Sequence, residues 1–304
     1  MQREELEGSM KRILFLYNPI AGQGKIKRNM YEVVEYYEKN DCIVTLCGAR
    51  KLPKLIQEGL VNEENYDLVV CSGGDGTLNL VASTFQKENI PLPIGYLPAG
   101  STNDYANSVG IPKDFKKACE CTLRGNLKYL DMGKINGRFF LYVVGFGMFT
   151  KVSYATPQKN KNLLGHTAYI LEGVKEFSDL KDYHLKLTCD ECEVEGNFVI
   201  GLVTNSLSVG GFKNLLSSQV SMDDGMMEVL LVRTPANIFE LSGILTAVLS
   251  DNVQSSDKIV YIKTRRLKIT SDEKIDWTLD GEFGGRFKKV QIETIPHALP
   301  IYGE

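Results

Sequence analysis

A chain of 304 residues with 43% hydrophobic content can build one large domain or two ordinary ones with packed cores, and a net charge of −3 excludes a general nucleic-acid coat. Seven cysteines, odd in number and irregularly spaced, make a poor disulfide framework and fit a reducing compartment. No apolar run reaches the ~18–20 residues of a membrane span; the best candidate, Ile238–Leu249, is short and carries Glu240, so the expectation is a cytoplasmic protein that touches a membrane only from the side.

Met1–Met10 is polar and acidic and is expected to fray. Ile13–Tyr17 reads as a first strand, too short for a signal-peptide core and running into Asn18-Pro19. Ile26, Met30, Val33 and Tyr37 mark an amphipathic helix, Cys42–Leu46 a second strand, and a short helix follows Pro53. Asp67–Cys71 is a third strand and Pro93–Leu97 a fourth, with helices to about Gln86, around Tyr105 and over Lys113–Leu123. Alternating βα units imply a parallel sheet covered on both faces, with ligand loops at the carboxyl ends of its strands.

From about Leu130 the pattern changes. Asn136-Gly137 is a hairpin signal. Short strands follow at Phe139–Val144, Tyr183–Thr188, Asn197–Thr204, Met227–Val232, Ile259–Thr264, Leu267–Ser271, Ile275–Leu279 and Phe287–Thr294. Helices interrupt them at about His166–Phe177 and Ala236–Ser250. Many short strands with polar turns read as an antiparallel sandwich. The two halves differ in class, so a cleft between two domains is expected.

Cys71-Ser72-Gly73-Gly74-Asp75-Gly76-Thr77 is the most informative stretch. A buried strand leads into glycines that permit positive φ and close approach to a ligand, and Leu78, Val81 and Phe85 then mark a helix from about Gly76. Strand, glycine turn and helix make a phosphate cradle at the positive end of a helix. Asp75 repels a phosphate, so its place there fits a role in holding Mg²⁺ or in ordering the loop. Gly22-Gln23-Gly24-Lys25 is not a P-loop, because Ile26 stands where Ser or Thr is needed, and Lys27 spoils a dinucleotide fingerprint. Lys25, Lys27 and Arg28 face either phosphates or solvent. Cys189-x-x-Cys192 is a lone thiol pair with no second pair at zinc spacing, and His166, His184 and His297 are scattered.

The GGDGT string resembles the signature of the diacylglycerol kinase catalytic family, with NAD kinases and phosphofructokinases as more distant relatives. Asn18-Pro19-Ile20-Ala21-Gly22 is similar to that family's NPxxG loop, Leu97-Pro98-Ala99-Gly100-Ser101-Thr102-Asn103-Asp104 to its LPxGTxND loop, and Asp280-Gly281-Glu282 to its late DGE motif. Order and spacing match the small bacterial lipid kinases over nearly the whole chain, and Ser101 departs from the usual Thr while keeping a hydroxyl.

The resemblance implies a three-layer Rossmann-like nucleotide domain over residues 1–130 and an antiparallel β-sandwich lipid-binding domain over 131–294. The tail 295–304 is implied to return to the first. It places ATP against Asn18, Pro19, Gly22, Gly73, Gly74, Asp75, Gly76, Thr77, Asn79, Ser101, Asn103 and Asp104, with Asp104 and Asp131 in an acidic, Mg²⁺-linked network. It assigns Asp223-Asp224-Gly225, otherwise a turn, a second, structural Mg²⁺ held by Asp224 and the carbonyls of Ser221 and Met226. If the backbone around Asp280-Gly281-Glu282 is extended, its two carboxylates point to one side. Either Glu282 or Asp280 is then the base for the acceptor hydroxyl, the alternative being a surface turn.

The implied activity is ATP-dependent phosphorylation of a membrane-lipid hydroxyl, diacylglycerol to phosphatidic acid first among the options. Membrane association is peripheral, nucleic acid is not a partner, and a homodimer is compatible with the reading. The basic residues Lys25, Lys27 and Arg28, with Lys159 and Lys161 beside Leu163-Leu164, are candidates for contact with the lipid surface. Two rivals are a kinase of a soluble substrate, NAD kinase-like, and a nucleotide-binding regulatory protein without turnover.

Overall fold

The computed structural model describes residues 10–147, 180–190, 192–206, 208–209, 212–213, 220–250 and 252–304. Residues 1–9, the expected helix His166–Phe177 and the stretch Lys159–Leu164 lie outside them. The chain divides into two compact units, one of residues 1–129 with Leu299–Glu304, the other of Leu130–Ala298.

In the first unit strands and helices alternate: β1 (Lys11–Tyr17), α1 (Lys25–Glu38), β2 (Cys42–Gly48), α2 (Leu52–Gln57), β3 (Leu68–Gly73), α3 (Asp75–Glu88), β4 (Ile94–Pro98), α4 (Asp104–Val109) and α5 (Phe115–Arg124). The strands are parallel in the order β2-β1-β3-β4, and the tail joins β4 in parallel through Ile301 opposite Ile94. Every residue of β3 and β4 is buried, as continuous apolar runs in a doubly covered sheet require. Ile13, Phe15, Leu68, Val70 and Leu97 share one core with Ile26, Val33 and Tyr37 of α1 and Ala118 and Cys119 of α5. The Tyr37 hydroxyl lies 2.8 Å from Thr122 Oγ1, joining those helices.

Helix α3 buries Leu78, Val81, Ala82 and Phe85 along one stripe. Each large apolar side chain contributes about 1.5–3 kcal/mol. That exceeds the roughly 1 kcal/mol cost of Gly76 inside the helix.

The second unit is antiparallel. Its strands are β5 (Asn126–Ile135, from Leu130 on), β6 (Arg138–Phe140), β7 (Val143–Gly147), β8 (Tyr183–Cys189), β9 (Glu193–Thr204), the two-residue pair β10 (Ser208–Val209) and β11 (Phe212–Lys213), β12 (Met227–Arg233), β13 (Ile259–Thr264), β14 (Arg266–Leu279) and β15 (Glu282–Gly303, to Ala298). The order is β13-β12-β9-β7-β14-β15, with β8 against β9 and β14, and β5 against β6 and β15. Val229 and Leu231 of β12 face a core with Phe146, Phe198 and Trp277. Leu230 and Val232 face the other way, toward Ile244, Ala247 and Val248 of helix α6 (Ile238–Leu249). Asn237 starts α6 by accepting from the N–H groups of Phe239 and Glu240, both at 3.0 Å.

The α/β class of the first half and the antiparallel class of the second agree with the expectation from sequence. Three details differ. The expected strand Phe139–Val144 is divided at Leu141-Tyr142, whose N–H groups turn to the Asp280 carboxylate instead of a neighbouring strand. The two strands expected over Leu267–Leu279 are one, with a register shift between Thr270 and Ile275. The last strand does not end at Thr294 but runs on to Gly303.

Candidate functional site

The order β2-β1-β3-β4 reverses direction between β1 and β3, and loops at the carboxyl ends of strands beside such a reversal form a crevice. Asn18 follows β1, Gly74 follows β3 and Ala99 follows β4, so topology brings together the three motifs of the first unit. Hydrogen bonds tie them. Asn18 donates its backbone N–H to Ser72 O (2.9 Å) and its Nδ2 to Thr77 Oγ1 (3.2 Å), and its Oδ1 accepts from Ile20 N beyond Pro19 (3.3 Å). Ala99 N donates to Gly73 O (2.7 Å). Asn103, at φ +52°, closes its loop on Gly100, accepting from its N–H (2.8 Å) and donating to its carbonyl (3.0 Å).

Positive φ, one of the two reasons the sequence offers for the glycines of the GGDGT string, does not apply. Gly73 lies in β3, Gly74 at φ −88° and ψ −177°, and Gly76 within α3, so none uses positive φ. Space is the constraint. A Cβ on Gly100 would stand 2.6 Å from Gly74 Cα, and one on Gly73 2.3 Å from Thr77 Oγ1. Gly22 combines both demands, with φ +53° and the carbonyl oxygen of Ala99 only 1.9 Å from where its Cβ would be.

The N-cap of α3, Gly74, offers no side chain to the first N–H groups of this 14-residue helix. Thr77 N donates to Gly74 O (2.9 Å), which leaves the N–H groups of Asp75 and Gly76, with the helix dipole, as donors for an anion. The side chain of Asp75, buried at 7% exposure, turns away from that role. Its carboxylate accepts from Asp104 N (3.1 Å), Tyr105 N (3.2 Å) and Thr102 Oγ1 (3.5 Å), capping α4 and locking the second loop to the third. Burial, and next the neighbouring Asp104 carboxylate, push the Asp75 carboxyl up to about 6, against the opposing pull of those hydrogen bonds. Asp104 itself is 2% exposed. Two close buried carboxylates beside an anion cradle fit Mg²⁺, which takes one or two carboxylates and completes its shell with phosphate oxygens and water. Ser101 is exposed on the same loop, and Asn79 accepts from Ser83 Oγ (2.6 Å) along α3. Lys25 bends to Lys113 O (3.4 Å) and the Phe115 ring (5.0 Å to the centroid), while Lys27 and Arg28 are exposed.

In the second unit Asp280-Gly281 is a hairpin turn between β14 and β15. Both residues have positive φ, +46° and +82°, and Leu279 pairs with Glu282. The extended geometry that would align two carboxylates is therefore absent. Asp280 is buried and accepts from the N–H groups of Leu141 (2.7 Å), Tyr142 (3.0 Å) and Val143 (3.1 Å). Glu282 is exposed and makes no side-chain hydrogen bond or ion pair among the described residues. Of the two, Glu282 keeps its lone pairs open for a proton.

Asp131 is fully buried and organises a second cluster. Its oxygens accept from Gly225 N (2.6 Å) and His297 N (2.8 Å), and its own N–H donates to Met222 O (2.8 Å). Ser221 Oγ donates to Asp223 Oδ1 (2.6 Å). Asp224 Oδ1 accepts from Met226 N (3.0 Å), and its Oδ2 lies 2.7 Å from Lys263 Nζ. That ammonium is also 3.3 Å from Glu228 Oε1. Glu228 is fully buried; burial above all pushes its carboxyl up to about 7, with Asp224 adding to the shift and Lys263 opposing it. Sequence reading missed both Glu228 and Lys263. The signal was there: a Glu inside Met227–Val232 and a Lys closing Ile259–Ile262, each an ionisable group in an apolar strand. No group of three or more His, Cys, Asp or Glu suited to a metal occurs among the described residues.

Comparison with known proteins adds three findings. Residues 12–135 match the family model "Diacylglycerol kinase catalytic domain", and residues 142–303 match "YegS C-terminal NAD kinase beta sandwich-like domain". The chain is 32% identical over 281 residues to a diacylglycerol kinase of Bacillus subtilis (strain 168), covering 91% of each, and 30% identical over 278 residues to one of Staphylococcus saprophyticus, covering 91% of this chain and 90% of that protein. In fold it is similar to a diacylglycerol kinase crystal structure from Bacillus anthracis str. Sterne (TM-score 0.72, 20% identity, 98% of both chains). It is similar also to yeast NADH kinase complexed with NADH (TM-score 0.52, 12% identity, 97% of this chain and 83% of that one). At those identities the likeness concerns fold alone.

Proposed function

The chain belongs to the diacylglycerol kinase catalytic family, and from that premise we propose that it is an ATP-dependent lipid kinase. It transfers the γ-phosphate of ATP to a hydroxyl of a membrane lipid, with diacylglycerol as the leading acceptor. The observation that carries the phosphate half of this reading is the uncapped start of α3, set where Gly74 and Gly100 approach each other without side chains. Phosphoryl transfer asks mostly for positioning and charge neutralisation. The N–H groups of α3 bind phosphate oxygens, Asn18 and Thr77 fix the loop around them, and Asp75 holds the third loop in register through the N–H groups of Asp104 and Tyr105. Mg²⁺, when bound, supplies the positive charge that the phosphates need, with Asp75 and Asp104 as the carboxylates to hold it.

On the acceptor side Glu282 takes the hydroxyl proton, since an alcohol is a poor nucleophile until its proton has somewhere to go. Asp280 acts through position, pinning the turn from which Glu282 projects. No helix among the described residues is long and apolar enough to cross a membrane. The enzyme in this reading works from the cytoplasm as a peripheral protein at the inner face of the membrane.

The test is labelled ATP with vesicles of diacylglycerol, phosphatidylglycerol or ceramide, the product identified by mass. A labelled lipid supports the reading. Anionic vesicles raise the rate at low salt, each basic residue near the surface adding on the order of 1 kcal/mol, and this gain fades in high salt. The GGDGT string, shared in resemblance with NAD kinases, makes a soluble acceptor the second reading. Phosphorylation of NAD with no response to vesicles would replace the first reading with it.

A further inference from the structure

The turn Ser221–Met226 has the residues that the family resemblance would give to a structural Mg²⁺, yet its Asp224 carboxylate is already paired with a cation from within the chain. Glu228 of β12 and Lys263 of β13 are direct cross-strand partners. From that position the Lys263 ammonium reaches Asp224 Oδ2 at 2.7 Å and Glu228 Oε1 at 3.3 Å. The other oxygen of Asp224 is taken by the Met226 N–H at 3.0 Å. A divalent ion on Asp224 Oδ2 would sit beside a full positive charge in a partly desolvated pocket, where repulsion is weakly screened. The lysine, at 34% side-chain exposure, also lies beside a glutamate that is wholly buried, which a metal on the turn alone would leave without a cation next to it.

We propose that Lys263 is the resident cation of this turn, standing in the place a divalent metal would otherwise take. The ammonium joins the turn to β12 and β13 through two carboxylates, and the turn holds its shape without metal. The inference concerns the second unit alone and stands whether or not the chain phosphorylates a lipid.

The experiment uses the full nucleotide-free chain. Its melting temperature is compared in EDTA and in millimolar Mg²⁺ for the wild type, Asp224→Asn, Lys263→Arg and Lys263→Met. The wild type and K263R melt alike in both buffers. K263M melts lower in EDTA and is raised saturably by Mg²⁺, and adding D224N to K263M removes that response. A wild type whose melting temperature rises saturably with Mg²⁺, and loses the rise in D224N, would overturn the proposal. So would a K263M chain that melts like the wild type, or one that melts lower but is indifferent to Mg²⁺. Should K263M fail to fold, Mn²⁺ stoichiometry by electron paramagnetic resonance decides with the wild type and D224N. Equal Mn²⁺ counts support the proposal, and one Mn²⁺ fewer in D224N refutes it.

Discussion

Asp280→Asn and Glu282→Gln are matched in chemistry, each removing one charge from the DGE turn, but they are expected to part company in stability. Asp280 Oδ2 accepts from Leu141 N, and Oδ1 from Tyr142 N and Val143 N. An amide keeps one acceptor oxygen. Its best orientation retains the pair at Tyr142 and Val143, now as neutral bonds, and sets an NH₂ against the Leu141 N–H. A charge-assisted bond is worth about 1.5–3 kcal/mol and a neutral one about 0.5–1.5. One bond lost and two weakened therefore cost roughly 3.5–6 kcal/mol, or about 7–24 °C in melting temperature for a unit of this size. Glu282 is exposed and without side-chain partners among the described residues, so E282Q should stay within about 0.5 kcal/mol of the wild type. Its turnover should fall by ~10²–10⁴-fold, the contribution of a general base. Denaturant titration gives the first quantity, and labelled-ATP turnover on diacylglycerol vesicles the second. A D280N chain as stable as the wild type would remove the structural role assigned to that carboxylate. An E282Q chain at full rate would remove the base.

Three further outcomes are expected. Gly22→Ala forces a left-handed alanine whose Cβ meets Ala99 O, so calorimetry should show loss of ATP binding, and unchanged affinity would contradict the close approach of the first and third loops. Asp75 has an ordinary value of 3.8 and reaches about 6 when folded, so the folded state binds its proton more tightly; the stability this gives is complete below pH ~3.8 and lost as pH rises through ~6. The span is worth about 3 kcal/mol, and Asp75→Asn should flatten the wild-type slope of unfolding free energy across that window, parallel slopes refuting the assignment. Gly100→Val places side-chain atoms against Gly74 and should cut ATP affinity; a folded variant binding as the wild type does would move the nucleotide elsewhere.

What the sequence disclosed followed from what was local. Leu68–Val70 and Ile94–Leu97 are apolar on both sides because the sheet is covered on both faces, so their character survives in the string of letters. Asn136-Gly137 announced its hairpin by composition, and the structure gives it two positive φ values. Asp280-Gly281 carries the same turn signal, and of the two conformations the sequence leaves open, extended or turned, the structure has the turn. The break at Leu141-Tyr142 was not legible, since its cause lies 139 positions away. Neither was the Lys263 contact, which depends on a register that puts it opposite Glu228. Glycine showed that the first-unit loops were special without revealing why: crowding at Gly73 and Gly100 leaves the same letter in the sequence as a left-handed turn.

The pairing of Ile301 with Ile94 bears on how the protein is made. The strand that flanks β4 is synthesised roughly 200 residues after it. At ~5–20 residues per second, roughly 200 intervening residues keep that edge of the nascent sheet open for about 10–40 s. An open strand edge invites the wrong partner, whether a neighbouring polysome's product or a chaperone. Shortening the gene after Tyr129 would yield a fragment lacking one β-strand of its own sheet, and a short peptide of residues 299–304 supplied in trans is the piece that would be missing.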